Sequence, residues 1–440
     1  MRAPLGGRVV RAPPDAQGVA DPPSEPSSRA DTKQVADYPG RRPPRCRGRV
    51  GRTATREREE RGRVSTPAPD HPVPLDSASG EPLHPAAREV LDAALSRGWA
   101  DPRRLHRSGR DARLLLDNAR AVLAEALDCR SDEVVLCSSG TDAVHRGLLG
   151  LARSRRRHGT AIVCSAVEHS AVRHAARWLG EERAVGVDRH GRVNVDAFLA
   201  AGQAPGVAVA ALQHANHEVG TVQPVEALEP LRAAGVPVLV DACASAGRLP
   251  LPADGWSALA ASAHKWGGPA GVGVLVVRRS ARWEQPFPGD DRADHRETGF
   301  ENVPAALAAA AALRAVLDER ETEAARQRRL VDRVRAAAAA LPDTEVVGDP
   351  DDRLPHLVTF SCLYVNGEAI VTELDRRGFG VASGSACTAS TLEPSHVLAA
   401  MGALTHGNVR LSVGRDTTEA DVEAFCAVLP EVVASLRADL

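Results

Sequence analysis

The feature that most limits how this chain can fold is a series of short, wholly apolar segments separated by amphipathic ones. The apolar segments are VVLC (134–137), AIVC (161–164), VAVAAL (207–212), VPVLV (236–240) and GVLVV (273–277). Stretches with helical spacing lie between them, at 110–127, 141–153, 170–179 and 225–234. Strands buried on one face alternate polar and apolar residues, whereas strands buried on both faces stay apolar throughout. The pattern therefore predicts an α/β large domain whose mostly parallel sheet is covered by helices on both sides. After Pro304 an alanine-rich helix runs to about Leu341 and leads into a second unit. That unit has a strand near 357–361, a helix near 367–377, a loop at 382–395 and a terminal helix near 418–438, a small α+β C-terminal domain. The expected division is 1–69, 70–303 and 304–440, and no internal repeat is visible.

Residues 1–69 read differently. They carry fourteen Arg, one Lys and eight acidic residues, with paired prolines at 13, 22 and 43 and no apolar periodicity. Such a segment buries too little surface to offset its ordering entropy, so disorder is expected. Its basic run RRPPRCRGRVGR (41–52) could touch nucleic acid or an acidic partner, or be a flexible tail or an over-long start. With a net charge of −2 for the whole chain, the remainder carries −9, which argues against nucleic-acid binding by the folded part. No run of eighteen apolar residues occurs, and the first residues lack an apolar signal core, so a cytoplasmic protein without a membrane span is expected. The eight cysteines are scattered without a C-x-x-C, which indicates neither a disulfide framework nor a metal site.

Only Lys33 and Lys265 are lysine, against fifty-three arginines. A lysine that persists against such a bias points to chemistry arginine cannot do. Lysine loses its proton when buried and attacks carbonyls; arginine stays protonated. Lys33 lies in the Arg/Pro-rich segment. Lys265 lies in ASAHKWGGPAGVGVLVV (261–277), between two apolar runs and beside glycines that let backbone approach a ligand. The functional reading is a Schiff-base lysine for pyridoxal 5'-phosphate; the alternative is a surface lysine beside a glycine turn.

Such a lysine needs partners. Asp241 ends the apolar run VPVLVD, where an acid faces the crevice of a parallel sheet and can keep a pyridinium protonated; it is equally well placed to cap a helix. CSSGTDAV (137–144) reads as strand, turn and helix start, so free N–H groups and the Thr141 hydroxyl can hold a phosphate, or merely cap the helix. Ser262 and His264 can add donors. His169, just past a strand, can stack on a ring and move protons, or be structural. HANHEVG (214–220) contains H-x-x-H, without helix or third ligand to make it a metal site. Cys387 lies among Gly, Ser, Ala and Thr in GVASGSACTAS, the surroundings of an accessible nucleophile rather than a core thiol. The other seven cysteines fit burial. Arg410 is a candidate for gripping a substrate carboxylate, and Arg415 a weaker one.

The chain from about Leu75 to its end resembles the cysteine desulfurases of the NifS/IscS kind, in the class-V aminotransferase group. The likeness runs in order through LDSASGEPLHP, SSGTDA, EHSAV, HANHEVGTVQP, VDACAS, SAHKWGGPAGVG, GFENVP, SGSACTASTLEPS and VRLSVGR. The resemblance implies a fold-type-I pyridoxal-phosphate homodimer acting on L-cysteine. It implies that Lys265 carries the cofactor, Asp241 pairs with its ring nitrogen, His169 stacks on the ring, Thr141, Ser262 and His264 hold the phosphate, Arg410 binds substrate, and Cys387 takes the sulfur for delivery to an acceptor. Other class-V activities (selenocysteine lyase, C–S lyase, aminotransferase) and a non-catalytic sulfur-relay protein are the alternatives. Four positions depart from the family pattern. His217 stands for an Asn, with Asn216 retained; Ala244 stands for a Gln, Phe300 for a Thr, and Asp142 for a Glu in a loop one residue shorter. The Asn and Gln contact the cofactor's phenolic oxygen in the family, and His217 is the candidate to donate there instead.

Overall fold

The computed structural model describes residues 71–97, 100–289, 296–297, 299–383 and 394–438. Expectations placed on residues 1–69, on Lys33 and on Cys387 lie outside the described residues. The chain runs through β1 (Val73–Pro74), α1 (Pro85–Arg97), α2 (Arg107–Ala126), β2 (Val134–Cys137), α3 (Gly140–Ser154), β3 (Ala161–Ser165), α4 (Ser170–Leu179) and β4 (Glu181–Val185). It continues with α5 (Val195–Gln203), β5 (Val207–Gln213), α6 (Glu229–Ala233), β6 (Val238–Asp241), β7 (Ala258–Ser262) and β8 (Gly273–Val277). Then come α7 (Val303–Ala339), β9 (Thr344–Val347), β10 (Leu357–Cys362), α8 (Gly367–Arg376), β11 (Phe379–Gly380), α9 (His396–Met401), β12 (Asn408–Ser412) and α10 (Glu419–Ala438).

Among the described residues, seven strands form the main sheet in the order β2-β8-β7-β6-β5-β3-β4. β4, β3, β5, β6 and β7 run parallel, and β8 is antiparallel to both of its neighbours. All seven residues of β5 are buried. Their side chains divide between two cores: Val207, Ala210 and Leu212 join one, and Ala208, Val209 and Ala211 the other. In β6, Val238 and Val240 face one side and Leu239 the other. An apolar layer on each face is the physical reason these segments had to be apolar at every position.

α7 is 37 residues long, about 55 Å at helical rise. Asn302 caps it, its Oδ1 accepting from the Ala305 N–H at 3.2 Å, with Pro304 in the first turn. Its first turns, Val303 to Leu313, pack into the large sheet's core, and Leu330, Val331 and Val334 pack into a second core. One helix thus belongs to both units. The second unit is an antiparallel sheet, β12-β10-β9, covered by α7, α8 and α10 through Ile370, Leu374, Val422, Phe425 and Leu429. Val73 and Leu75 also enter this core, and β1 pairs with β11. The N-terminal arm therefore starts in the C-terminal layer and crosses to the large sheet afterwards, which brings Asp76 to Ser79 between the two units.

Candidate active site

The carboxyl ends of the parallel strands form a crevice, and the functional side chains sit on the segments that leave them. A cavity of about 310 Å³, the size of a small-molecule site, opens there. Thr141, His169, His217, Asp241, Ser262, His264, Lys265 and Arg410 all border it. These eight and Arg415 are the candidates from the sequence that fall within the described residues. Cys387 lies outside them. Arg415 does not reach this cavity; its guanidinium pairs with Glu319 instead.

Each position follows from local structure. β7 ends at Ser262, a short turn carries Ala263–Lys265, and β8 returns antiparallel. The Lys265 ammonium donates to the Ala78 carbonyl of the arm. Asp241 is the last residue of β6 and heads a turn, with its Oδ1 accepting from the Cys243 N–H at 2.9 Å; no helix comes after it to be capped. His169 caps α4, its Nδ1 accepting from the Ala171 N–H at 3.1 Å, which leaves the ring proton to Nε2. Ser139 caps α3, its Oγ accepting from the Asp142 N–H at 3.1 Å. The Asp142 carboxylate turns back to the Ser138 N–H at 3.0 Å and to Arg146 at 2.8 Å, so it supports the loop rather than facing the cavity.

The cavity fits pyridoxal phosphate on several counts. The start of α3 presents Ser139, Gly140 and Thr141 to it, and the first N–H groups of a helix have no partner within the helix. Ser262 Oγ and His264 Nδ1, 2.9 Å apart, face the same place. A side chain at Gly140 would force its neighbours to shift: an added Cβ would stand 2.8 Å from Cys243 Sγ and from Ser262 Cβ. Two polar atoms on the wall, His217 Nδ1 and Arg410 Nε, are buried without a partner among the described residues, the state of groups that await a ligand. The Asp241 carboxylate can pair with a ring nitrogen, and the Lys265 amine can join an aldehyde.

Arg410 is 4% exposed and is oriented from three sides. Its Nη2 donates to Asp76 Oδ1 at 2.8 Å and to Ser79 Oγ at 2.7 Å, and its Nη1 to the His217 carbonyl at 3.0 Å. Two segments flanking the undescribed residues 384–393 also meet the cavity wall. Ala382 pairs with Arg410 backbone to backbone, at 2.7 and 3.1 Å. His396 Nε2 lies 2.9 Å from the carbonyl of Glu168, next to His169.

Burial sets the electrostatics. It holds the imidazoles of His169, His217 and His264 below their ordinary range, with Lys265 adding to the effect at each; Asp241 opposes it at His169. These rings are therefore neutral at pH 7. Burial pushes the Cys243 thiol well above its ordinary value, and the neighbouring Asp241 adds to this, so Cys243 is no thiolate. Glu168 and Glu218, buried one residue before His169 and one after His217, are pushed up to about 8 and about 7 by the same desolvation.

Sequence reasoning missed several residues of the site. Ser79, Gln213 and Cys243 border the cavity. Cys243 and Ser79 lie inside motifs already singled out, VDACAS and LDSASG, so adjacency to Asp241 and to the arm was their available signal. Cys243 also departs from the expectation of a simple core thiol, since it is half-buried at the cavity rim; Cys129 and Cys426 are half-buried as well, and Cys137, Cys164 and Cys362 are buried. Phe300 is half-exposed at a separate cavity of about 270 Å³ that also borders Ser138 and Asp142. Among the described residues no group of three His, Cys, Asp or Glu could hold a metal ion, and no helix is long and apolar enough to cross a membrane.

Residues 73–425 match the family model for aminotransferase class-V. An IscS-like cysteine desulfurase of Mycobacterium tuberculosis is 36% identical over 82% of this chain and 96% of its own length. The cysteine desulfurase IscS of Dictyoglomus turgidum is 32% identical over 83% of this chain and 95% of its own. A solved structure described as a NifS-like protein superposes with a TM-score of 0.77 at 24% identity, covering 83% of this chain and all of the other, a likeness of fold. The fold is thus a shared architecture, and the chain belongs to the class-V aminotransferases, within their cysteine desulfurase family.

Proposed function

We propose that this chain is a pyridoxal-phosphate-dependent cysteine desulfurase that converts L-cysteine to L-alanine and moves the sulfur to Cys387. The observation that carries this reading is the convergence of Lys265, Asp241, His169 and Arg410 on one cavity whose helix-start cradle suits a phosphate. When bound, the cofactor supplies an aldehyde for a lysine amine and a ring that draws electrons from an amino acid's α-carbon.

The chain's residues have these roles. Lys265 would hold the cofactor through its side-chain nitrogen, which here donates to the Ala78 carbonyl of the arm. Asp241 keeps the ring nitrogen protonated. His169, neutral and with its proton on Nε2, covers the ring and donates or accepts a proton there. Ser139, Gly140, Thr141, Ser262 and His264 hold the phosphate. Arg410, already oriented by Asp76 and Ser79, binds the substrate carboxylate through its Nε, the guanidinium nitrogen left without a partner among the described residues. The Cys387 thiolate attacks the sulfur of cysteine. The C–S bond breaks, an S–S bond forms, and the proton lost by the two thiols ends on the alanine carbon, so L-cysteine plus enzyme thiol gives L-alanine plus enzyme persulfide. The reading includes a homodimer, a cytoplasmic location and a sulfur-acceptor protein or small molecule, all carried from the family likeness.

The test is spectroscopic and chemical. The purified protein is expected to show a visible cofactor band and to release sulfide from L-cysteine with a reductant. Lys265→Ala is expected to lose both, and a band unchanged in Lys265→Ala would reject the assignment.

A further inference from the structure

A smaller cavity of about 50 Å³ borders the turn that carries Lys265, on the side of the arm and α7. This is more room than one water requires. Its walls are the arm at Glu81–His84, the turn Lys265–Gly267, Arg248, and the middle of α7. The arm is stitched to the turn: the Glu81 N–H donates to the His264 carbonyl and the His84 N–H to the Gly267 carbonyl, both at 2.8 Å. Arg248 donates to the Lys265 carbonyl at 3.2 Å, and Trp266 Nε1 fixes the turn to the Ala309 carbonyl of α7 at 3.1 Å.

Two donors in this cavity lack an acceptor at hydrogen-bond distance among the described residues. His84 Nδ1 accepts from the Ala86 N–H at 3.1 Å, so the ring proton resides on Nε2. That Nε2 is buried without a hydrogen-bond acceptor in a side chain only 7% exposed. The nearest carboxylate, Glu319, stands 3.8 Å away, beyond hydrogen-bond reach, and is already held by Arg415. Arg320 also borders the cavity and has no carboxylate partner among the described residues. The other acids on the rim are taken. Glu81 is bound by Arg248 at 2.6 Å, and Glu323 by Arg326 at 2.6 Å and Gln327 at 2.8 Å. A guanidinium and an imidazole N–H, both donors, are left over. The ligand they lack is an acceptor with negative charge.

We propose that this cavity binds a small oxyanion, a carboxylate or an inorganic phosphate, between His84 Nε2 and Arg320, distinct from the catalytic cavity and touching the Lys265 turn from the side of the arm and α7. A ligand there shares a wall with the catalytic lysine, so its occupancy is felt at the turn that places that lysine.

The experiment uses the full-length, cofactor-loaded enzyme, in which the catalytic phosphate cradle is filled. Calorimetric titrations with sodium acetate and, separately, with inorganic phosphate are run at constant ionic strength. Saturable binding of one anion per chain is expected for at least one of the two, and which one binds tells a carboxylate ligand from a free phosphate. Arg320→Ala is expected to weaken that binding roughly tenfold or more, the loss of one charge-assisted contact. It is expected to leave sulfide release without added anion unchanged, since Arg320 has no role in the catalytic cavity. Arg410→Ala is expected to bind the anion as the parent does. Absence of saturable binding for both anions, equal affinity in Arg320→Ala, or loss of binding in Arg410→Ala overturns the proposal.

Discussion

The imidazole of His169 meets that of His217 edge to face, with ring centres 5.0 Å apart and planes at 74°. His217 stands where the resemblance puts an Asn, so a ring edge here replaces an amide. Its Nδ1 is buried and unpartnered at the cavity wall. His217→Ala removes both the edge that buttresses His169 and the candidate donor to the cofactor. It is expected to lower kcat/KM roughly tenfold to a hundredfold with cofactor still bound, the scale of one or two lost contacts. His217→Asn is expected to stay within about tenfold of the parent by restoring an amide. Steady-state kinetics with the cofactor band as a loading control checks both, and full activity in His217→Ala would show that the ring is mere filling.

Gly140→Ala tests the phosphate cradle. The new methyl would stand 2.8 Å from Cys243 Sγ and Ser262 Cβ, a distance at which something must shift. Because Ser262 is part of the cradle, the expected result is cofactor affinity weakened roughly tenfold or more, with little loss of helix content. Equilibrium dialysis of cofactor against the variant measures this directly.

Arg410→Lys keeps the charge and loses the fork that Asp76, Ser79 and the His217 carbonyl orient. A charge-assisted bidentate contact is worth about 1.5–3 kcal/mol, so KM for L-cysteine is expected to rise roughly tenfold or more. A rise in KM that exceeds the fall in kcat locates the residue in substrate binding; a fall in kcat alone would place it elsewhere.

Glu168 gives the enzyme a pH-dependent stability. The carboxyl is fully buried; its Oε1 accepts from Ser165 Oγ at 2.8 Å and the Gln213 N–H at 2.9 Å, while Oε2 has no partner among the described residues. Burial raises it to about 8, against 4.5 in the unfolded chain. Between those values the folded protein holds a proton that the unfolded chain has released. The stability linked to this group is therefore fully present below about 4.5 and is lost as pH rises towards 8. Glu168→Gln cannot titrate and escapes this loss. Its stability relative to the parent is expected to grow by on the order of 2 kcal/mol from pH 6 to pH 8, measured by denaturant unfolding. A constant difference across that range would mean that the carboxyl is already ionised in the fold.

Much of the fold was legible in the sequence. The five wholly apolar segments became buried strands because helices cover both faces, and α7 ran from just before Pro304 to Ala339 as its alanine-rich pattern required. Lys265 stood out because arginine had replaced lysine nearly everywhere else. The features that stayed hidden depend on contacts far apart in sequence. β4, with mostly half-exposed residues and the composition EERAV, lies at the sheet edge and carries no apolar run. β1 is two residues long and exists by pairing with Phe379 and Gly380. Nothing local in LDSASG announces that Asp76 and Ser79 orient Arg410 from over three hundred residues away. Asp241 could equally have capped a helix, and the turn it heads, closed on the Cys243 N–H, removes that reading.

Mass analysis of the Cys387 peptide after brief incubation of the purified enzyme with L-cysteine reads the proposed sulfur transfer itself. The proposed transfer predicts one added sulfur atom on Cys387 in the parent and none in Lys265→Ala, while Cys387→Ser keeps the cofactor band and stops releasing sulfide. Unmodified Cys387 together with undiminished sulfide release from Cys387→Ser would contradict it.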